Sequence, residues 1–79
     1  MERFEVLNML QDIIQSAVDN DEIVINNYTT ASDIDGWDSL AQVMIVGELQ
    51  NRLGVKFTSK EVSEFENVGD FLNAIMSKL

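Results

Sequence analysis

The sequence contains no cysteine, no histidine and no proline, and it has only five basic residues. Without cysteine, no disulfide can stabilise the chain, and without cysteine or histidine the usual zinc ligands are missing. Without histidine, a Ser-His-Asp triad cannot form, so a self-contained serine hydrolase is not expected. The stability of the fold must therefore come from apolar packing, for which 46% hydrophobic residues are sufficient.

The scarcity of basic residues leaves a net charge of −9, from 14 acidic and 5 basic side chains. Nucleic acid phosphates repel such a surface, so DNA and RNA are not expected partners. Positively charged protein surfaces are favoured instead, because opposite potentials accelerate encounter. The charge is equally compatible with a simpler role, which is to keep the protein soluble and monomeric.

The chain has 79 residues, which predicts one domain over residues 1–79 with a small core. Residues 1–18 mix charged and apolar side chains, so they lack the apolar segment of a secretory signal peptide. No apolar run approaches the length of a membrane span. We therefore expect a cytoplasmic protein.

Apolar spacing predicts a helix at each end of the chain. Residues 2–18 place apolar side chains on one helical face, and residues 68–79 do so after a capping Asn67. The first face consists of Phe4, Leu7, Leu10, Ile13, Ile14 and Ala17. The second consists of Val68, Phe71, Leu72, Ile75 and Leu79.

The middle of the chain predicts a long connection and two further helices. Residues 19–37 form the connection, which should pack through Ile23, Ile25, Tyr28 and Ile34. A helix over residues 39–53, with its core stripe at Ile45, Leu49 and Leu53, ends at Gly54. The capping box TSKE at residues 58–61 opens a short helix through Val62 and Phe65. The predicted fold is all-α, a small four-helix bundle with three main helices, one short helix and a long first loop.

The stretch DGWDSLAQ, residues 35–42, places Ser39 where the long loop becomes the second helix. No histidine or neighbouring lysine can activate Ser39 as a catalytic nucleophile. One interpretation is structural: Ser39 forms a capping box with Gln42, or Asp38 caps the helix instead. The other is that Ser39 is displayed for modification, because an attached phosphate would lie beside free N–H groups at the positive end of the helix dipole. The two interpretations are compatible.

The acidic segment ASDIDG offers a weak alternative, a calcium loop. Asp33, Asp35 and Gly36 fit the third, fifth and sixth positions of an EF-hand. Its first and twelfth positions are Ala31 and Gln42, which supply no carboxylate. We therefore expect no metal site.

The segment GWDSLAQVMIVGELQNRLGVKF, residues 36–57, resembles the acyl carrier protein family, with the match centred on Asp38, Ser39 and Leu40. The long first loop, the order of four helices and the segment NVGDFLNAI extend the resemblance over essentially the whole chain. It implies that a phosphopantetheinyl transferase attaches 4′-phosphopantetheine from coenzyme A to Ser39. The arm ends in a thiol, which carries acyl or aminoacyl groups as thioesters. A ligase or transferase loads these groups, and downstream biosynthetic enzymes use them.

The resemblance also implies that the protein is a non-catalytic carrier whose helical bundle can enclose the attached acyl chain. Candidate lining residues are Leu49, Val55, Phe57, Val62 and Ile75. The alternative for each of them is an ordinary place in the core. The resemblance does not decide the pathway. It is compatible with fatty-acid, polyketide or other dedicated biosynthesis, and with a non-ribosomal-peptide-type pathway. A scaffold that keeps the fold without the prosthetic group is a further alternative.

The second helix departs from fatty-acid carriers, which usually have acidic residues along its outer face. Here Glu48 is the one acidic residue, and Arg52 adds a positive charge. A helix that is apolar on nearly all sides should be buried on more than one of them. We therefore expect a partner-docking surface formed by Asp35, Leu40, Val43, Met44, Gly47 and Glu48. The alternative is that Val43 and Met44 are scattered surface residues.

Overall fold

The computed structural model describes residues 1–79 and contains four α-helices and no β-strand. The helices are α1 (Arg3–Val18), α2 (Ser39–Leu53), α3 (Ser59–Ser63) and α4 (Val68–Lys78). The first loop contains one 3₁₀ turn, Ala31–Asp33. The predicted all-α fold, with three main helices and one short helix, is confirmed. None of the four helices combines the length and the apolar character that a membrane crossing requires.

The core lies between the three long helices, with α1 packed against both α2 and α4. Its 12 buried side chains come from these helices and from the first loop. They are Val6, Leu10, Ile13, Ile14, Ile25, Ile34, Ile45, Leu49, Val68, Phe71, Leu72 and Ile75. Burying a side chain of this kind contributes about 1.5–3 kcal/mol, so this core is the main stabilising feature of a chain without disulfides. The short helix α3 buries no residue fully.

Three side chains that the spacing assigned to packed positions lie at the surface instead. Phe4 is 63% exposed, Tyr28 is 85% exposed and Leu79 is 50% exposed. Val6 is buried in the first helix, and Phe4 precedes it by two residues, which turns it about 200° away around the helix axis. Tyr28 lies in a turn that Asn26 closes by accepting the Tyr28 N–H at 2.8 Å, and Leu79 follows the end of α4.

The predicted helix ends after α2 are formed by local hydrogen bonds. Gly54 ends α2 with a φ of 69°, the left-handed conformation that favours glycine. The Thr58 hydroxyl accepts the Glu61 N–H at 3.1 Å, and the Glu61 carboxylate accepts the Thr58 N–H at 3.0 Å, which completes the predicted capping box. The Asn67 side chain caps α4 by accepting the Asp70 N–H at 2.8 Å. The short helix ends at Ser63, so its predicted extension to Phe65 was too long.

The long first loop is fixed at both sides of the bundle. On the α1 side, Gln11 accepts the Ile25 N–H at 3.0 Å, and Gln15 donates to the Ile23 carbonyl at 2.8 Å. On the α4 side, two loop carbonyls accept the first N–H groups of the helix, those of Val68 and Gly69. The loop therefore delivers the chain to the start of α2 in a defined position.

Candidate functional site

The start of α2 is capped by Asp38, and Ser39 is the first residue of the helix. Asp38 Oδ1 accepts the Ala41 N–H at 2.9 Å, and the Asp38 carbonyl accepts the Gln42 N–H at 2.9 Å. The alternative capping box between Ser39 and Gln42 is therefore not formed. Because Asp38 does the capping, the Ser39 hydroxyl is left without a role in holding the helix.

The Gln42 side chain forms a hydrogen bond with the neighbouring Trp37 and does not cap the start of α2. The indole Nε1 of Trp37 donates to Gln42 Oε1 at 2.6 Å, and the half-buried ring packs against the core. This bond joins the last part of the loop to the first turn of α2. It fixes the chain on both sides of Ser39, and no simple sequence pattern indicates it.

The Ser39 hydroxyl is exposed and forms no hydrogen bond with the rest of the chain. The backbone N–H groups of Ser39 and Leu40 also lack acceptors, as expected for the first two residues of a helix. Such N–H groups, together with the helix dipole, favour an anion at this position. The local geometry is therefore suited to a phosphate attached to Ser39.

A cleft of about 570 Å³ opens beside Ser39. It lies between the start of α2 and the segment from α3 to α4. Its lining includes Trp37, Ser39, Val43, Val62, Phe65 and Phe71. A second cleft of about 460 Å³ shares Gln42, Val43, Val62 and Ser63 with the first, and extends along α2 to Gln50 and Phe57. Together the two clefts form a groove along α2 that begins at Ser39.

Three phenylalanine rings form one side of this groove. The rings of Phe65 and Phe71 are stacked, with centroids 4.7 Å apart. Phe57 meets both rings edge to face, with centroid distances of 6.1 Å to Phe65 and 5.9 Å to Phe71. Contacts of this geometry stabilise the cluster beyond the area it buries. The groove therefore has an aromatic wall.

The structure separates the candidate cargo-lining residues into two groups. Phe57 and Val62 line the groove. Leu49 and Ile75 are completely buried, Val55 is nearly so, and none of the three lines any of the four clefts. For these three residues the structure shows the alternative, an ordinary place in the core, because spacing identifies the inner face of a helix but not which inner side chains border a cleft.

The outer face of α2 carries exposed apolar side chains next to an ion pair. Leu40, Val43 and Met44 are 70%, 69% and 52% exposed, and Gly47 follows them on the same face. Further along the helix, Arg52 Nε donates to Glu48 at 2.8 Å.

Arg52 also reaches Asp12 of α1 at 3.3 Å. Hydrogen bonds to Glu48 and then to Asp12 raise the pKa of Arg52 above its ordinary value. The 40 positions between Arg52 and Asp12 explain why no local pattern indicated this contact.

The acidic residues of the first loop have separate roles. Asp33 caps the 3₁₀ turn by accepting the Thr30 N–H at 2.9 Å. Asp35 is exposed near the start of α2 and forms no hydrogen bond through its carboxylate. No group of three acidic side chains is arranged to hold a metal ion.

Comparison with known proteins identifies the family. The family described as "Phosphopantetheine attachment site" matches residues 5–75. The solution NMR structure of a holo acyl carrier protein from Geobacter metallireducens is similar to this fold, with a TM-score of 0.84 and 35% identity over 91% of this chain and 83% of that one. No match is found among curated proteins. Since both similarities span nearly the whole helical bundle, the chain belongs to the acyl carrier protein family, whose members hold 4′-phosphopantetheine covalently.

Proposed function

We propose that 4′-phosphopantetheine is attached to Ser39, and that residues 1–79 act as one cytoplasmic carrier domain for acyl or aminoacyl intermediates. The observation that carries this proposal is the state of the Ser39 hydroxyl, which is exposed and unbonded at the first position of α2. Three of the five other serine hydroxyls, those of Ser32, Ser63 and Ser77, are hydrogen-bonded to neighbouring groups, whereas Ser16 lies inside α1 and Ser59 begins the five-residue helix α3. The family relationship and this geometry support the same residue.

The surroundings of Ser39 fit the proposed attachment. The free N–H groups of Ser39 and Leu40 can receive phosphate oxygens, and the Asp38 cap keeps them in position. When bound, the group supplies a thiol on which cargo travels as a thioester. The chain itself has no cysteine, so it offers no competing thiol. The groove beside Ser39 offers an apolar surface along which the arm and its cargo can lie.

Catalysis is assigned to partner enzymes. The chain has no histidine, and no basic side chain forms a hydrogen bond with Ser39. The partners of this proposal are a phosphopantetheinyl transferase, a loading ligase or transferase, and the downstream enzymes of a dedicated biosynthetic pathway. The carrier raises the local concentration of a tethered intermediate for whichever enzyme is docked.

Partner enzymes are proposed to dock on the outer face of α2 and the adjoining end of the loop. The docking surface consists of Asp35, Leu40, Val43, Met44, Gly47 and Glu48. Leu40, Val43 and Met44 support it, because side chains this exposed form one contiguous apolar strip beside Ser39. A partner seated there has direct access to the Ser39 hydroxyl.

Intact-mass measurement tests the attachment. The purified chain is incubated with coenzyme A and a broad-specificity phosphopantetheinyl transferase. We expect the mass of one phosphopantetheine group to be added to the wild type and to Ser59→Ala, but not to Ser39→Ala. Ser59 is the matched control, because it is also an exposed serine at the first position of a helix. Addition to Ser39→Ala, or no addition to folded wild type, would contradict the proposal.

A scaffold without the prosthetic group is the second candidate, and the exposed apolar strip of α2 is the observation that favours it. A scaffold predicts a partner complex that is indifferent to Ser39→Ala but is weakened by Met44→Glu. A carrier loses its function with Ser39→Ala even though the complex still forms. Comparing the two variants in one binding assay and one modification assay distinguishes these functions.

A further inference from the structure

We propose that Arg52 is a specificity-determining residue of the docking surface, because it neutralises the one carboxylate of α2 and leaves an apolar strip as the recognition feature. This inference rests on the proposed function and names the partner chemistry that the same surface accepts. The partner is an enzyme acting at Ser39 that presents an apolar recess to the middle of α2. Its positive charge is confined to the end of the surface near Asp35 and Asp38.

The apolar strip is the first observation behind this inference. Val43 and Met44 follow Leu40 by three and four residues, which places all three on one side of α2. All three are more than half exposed. The next turn continues with Gly47, which has no side chain to interrupt close approach. A recess that covers these residues would remove a continuous apolar surface from water.

The second observation is the position of the charges around the strip. Glu48 is the only acidic residue in α2, and its carboxylate is engaged by Arg52 at 2.8 Å. Asp12 approaches the same guanidinium at 3.3 Å from α1. The guanidinium is therefore held from two sides, which keeps it on Glu48. Within α2 a partner therefore meets the Glu48 charge matched by Arg52, and the remaining negative charge of this cluster belongs to Asp12 of α1.

The third observation concerns the charges at the other end of the strip and what they imply about the molecule that binds there. Asp35 and Asp38 are exposed and form no ion pair. They attract positive charge near Ser39, where the partner must bring its substrate-binding groups. A second copy of this chain is a poor occupant, because each copy carries a net charge of −9 and would bring the same acidic groups to the contact.

Removing Arg52 tests the role of the ion pair. We would measure kcat/KM for modification of Ser39 by the phosphopantetheinyl transferase at saturating coenzyme A. Arg52→Ala leaves the Glu48 carboxylate unpaired, and this carboxylate must lose water when it meets an apolar recess. We expect kcat/KM to fall about tenfold. The double variant Arg52→Ala with Glu48→Gln should return to within about twofold of the wild type.

Two further variants make the test specific. Lys56→Ala removes the same unit of charge from an exposed residue outside α2 that forms no ion pair, and it should leave kcat/KM nearly unchanged. Met44→Gln keeps the side-chain length but makes its end polar, and it should lower kcat/KM about tenfold. Circular dichroism establishes that each variant is folded before its rate is compared.

The outcomes separate this inference from the proposed function. If the wild type is modified but Arg52→Ala raises kcat/KM, the partner recognises the Glu48 charge and the inference is wrong. It is equally wrong if Met44→Gln has no effect, or if the loss in Arg52→Ala persists after Glu48→Gln is added. If folded wild type is not modified at all, the proposed function fails, and this inference fails with it.

Discussion

Replacing Gly69 by alanine tests how the first loop is attached to α4. Gly69 is buried in the first turn of the helix, and its N–H donates to the Asn27 carbonyl at 2.8 Å. A Cβ atom at this position would lie 2.9 Å from the same carbonyl oxygen and 3.2 Å from Asn67 Oδ1. Carbon atoms do not approach a backbone oxygen so closely, so the loop would have to move away from the helix.

Three effects determine the magnitude of the loss. Alanine favours a helix over glycine by about 1 kcal/mol, which opposes the expected destabilisation. Forcing an extra carbon into a packed position costs about 1–3 kcal/mol. Moving the loop also weakens the bonds from Gly69 to Asn27 and from Val68 to Thr29, each contributing about 1 kcal/mol. The net effect of Gly69→Ala is therefore a loss of about 2 kcal/mol in the free energy of unfolding.

Urea unfolding followed by circular dichroism measures this change, and thermal unfolding should show a decrease of about 10 °C in Tm. Gly47→Ala is the matched control, because Gly47 lies inside α2 and a Cβ there meets no atom within 4 Å. Helix propensity acts alone at that position, so Gly47→Ala should gain about 1 kcal/mol. A Gly69→Ala protein as stable as the Gly47→Ala protein would refute the described attachment of the loop.

The remaining predictions concern the helix ends and the Lys78–Glu61 ion pair. Asp38→Ala should lower the free energy of unfolding by about 1 kcal/mol, whereas Ser39→Ala should change it little; equal losses in urea unfolding would show that both side chains cap α2. Gly54→Ala should lose about 1 kcal/mol because of the left-handed conformation, and an unchanged unfolding midpoint would contradict that conformation. Hydrogen bonds from the Lys78 side chain and then the Thr58 backbone hold the pKa of Glu61 below its usual value. Because the folded-state pKa is depressed, this stabilisation is present above the unfolded pKa of about 4.3 and disappears as the pH falls through the folded-state pKa. The stability difference between wild type and Glu61→Gln should therefore vanish in acid, and a difference that persists below that range would exclude the carboxylate as its source.

The helix boundaries show what local patterns can predict. The α2 helix occupies the predicted residues 39–53, the Gly54 end and the Asn67 cap are confirmed, and the TSKE capping box forms as expected. These features depend on residues within one or two turns of each other. The physical preferences that produce them are therefore present in a short stretch of sequence.

The start of α2 shows what such patterns cannot predict, which is whether Asp38 or Ser39 caps the helix. Asp38 and Ser39 are adjacent, and both are good capping residues, so composition could not choose between them. The structure decided the choice by giving Asp38 the capping backbone conformation and leaving the Ser39 hydroxyl free. In the same way, α1 had enough apolar residues to define more than one face, and packing against α2 and α4 selected the face with Val6 over the one with Phe4.

The sequence by itself determined the all-α class and the order of the helices, because helix periodicity and capping act over a few residues. Its resemblance to acyl carrier proteins also supplied the proposal that Ser39 is the attachment site. Only the tertiary structure decided that Arg52 also meets Asp12 of α1, and that loop carbonyls receive the first N–H groups of α4. It alone also formed the groove that brings residues of α2, α3 and the start of α4 beside Ser39. Contacts between residues far apart in the chain depend on how the helices pack, and no local pattern encodes that packing.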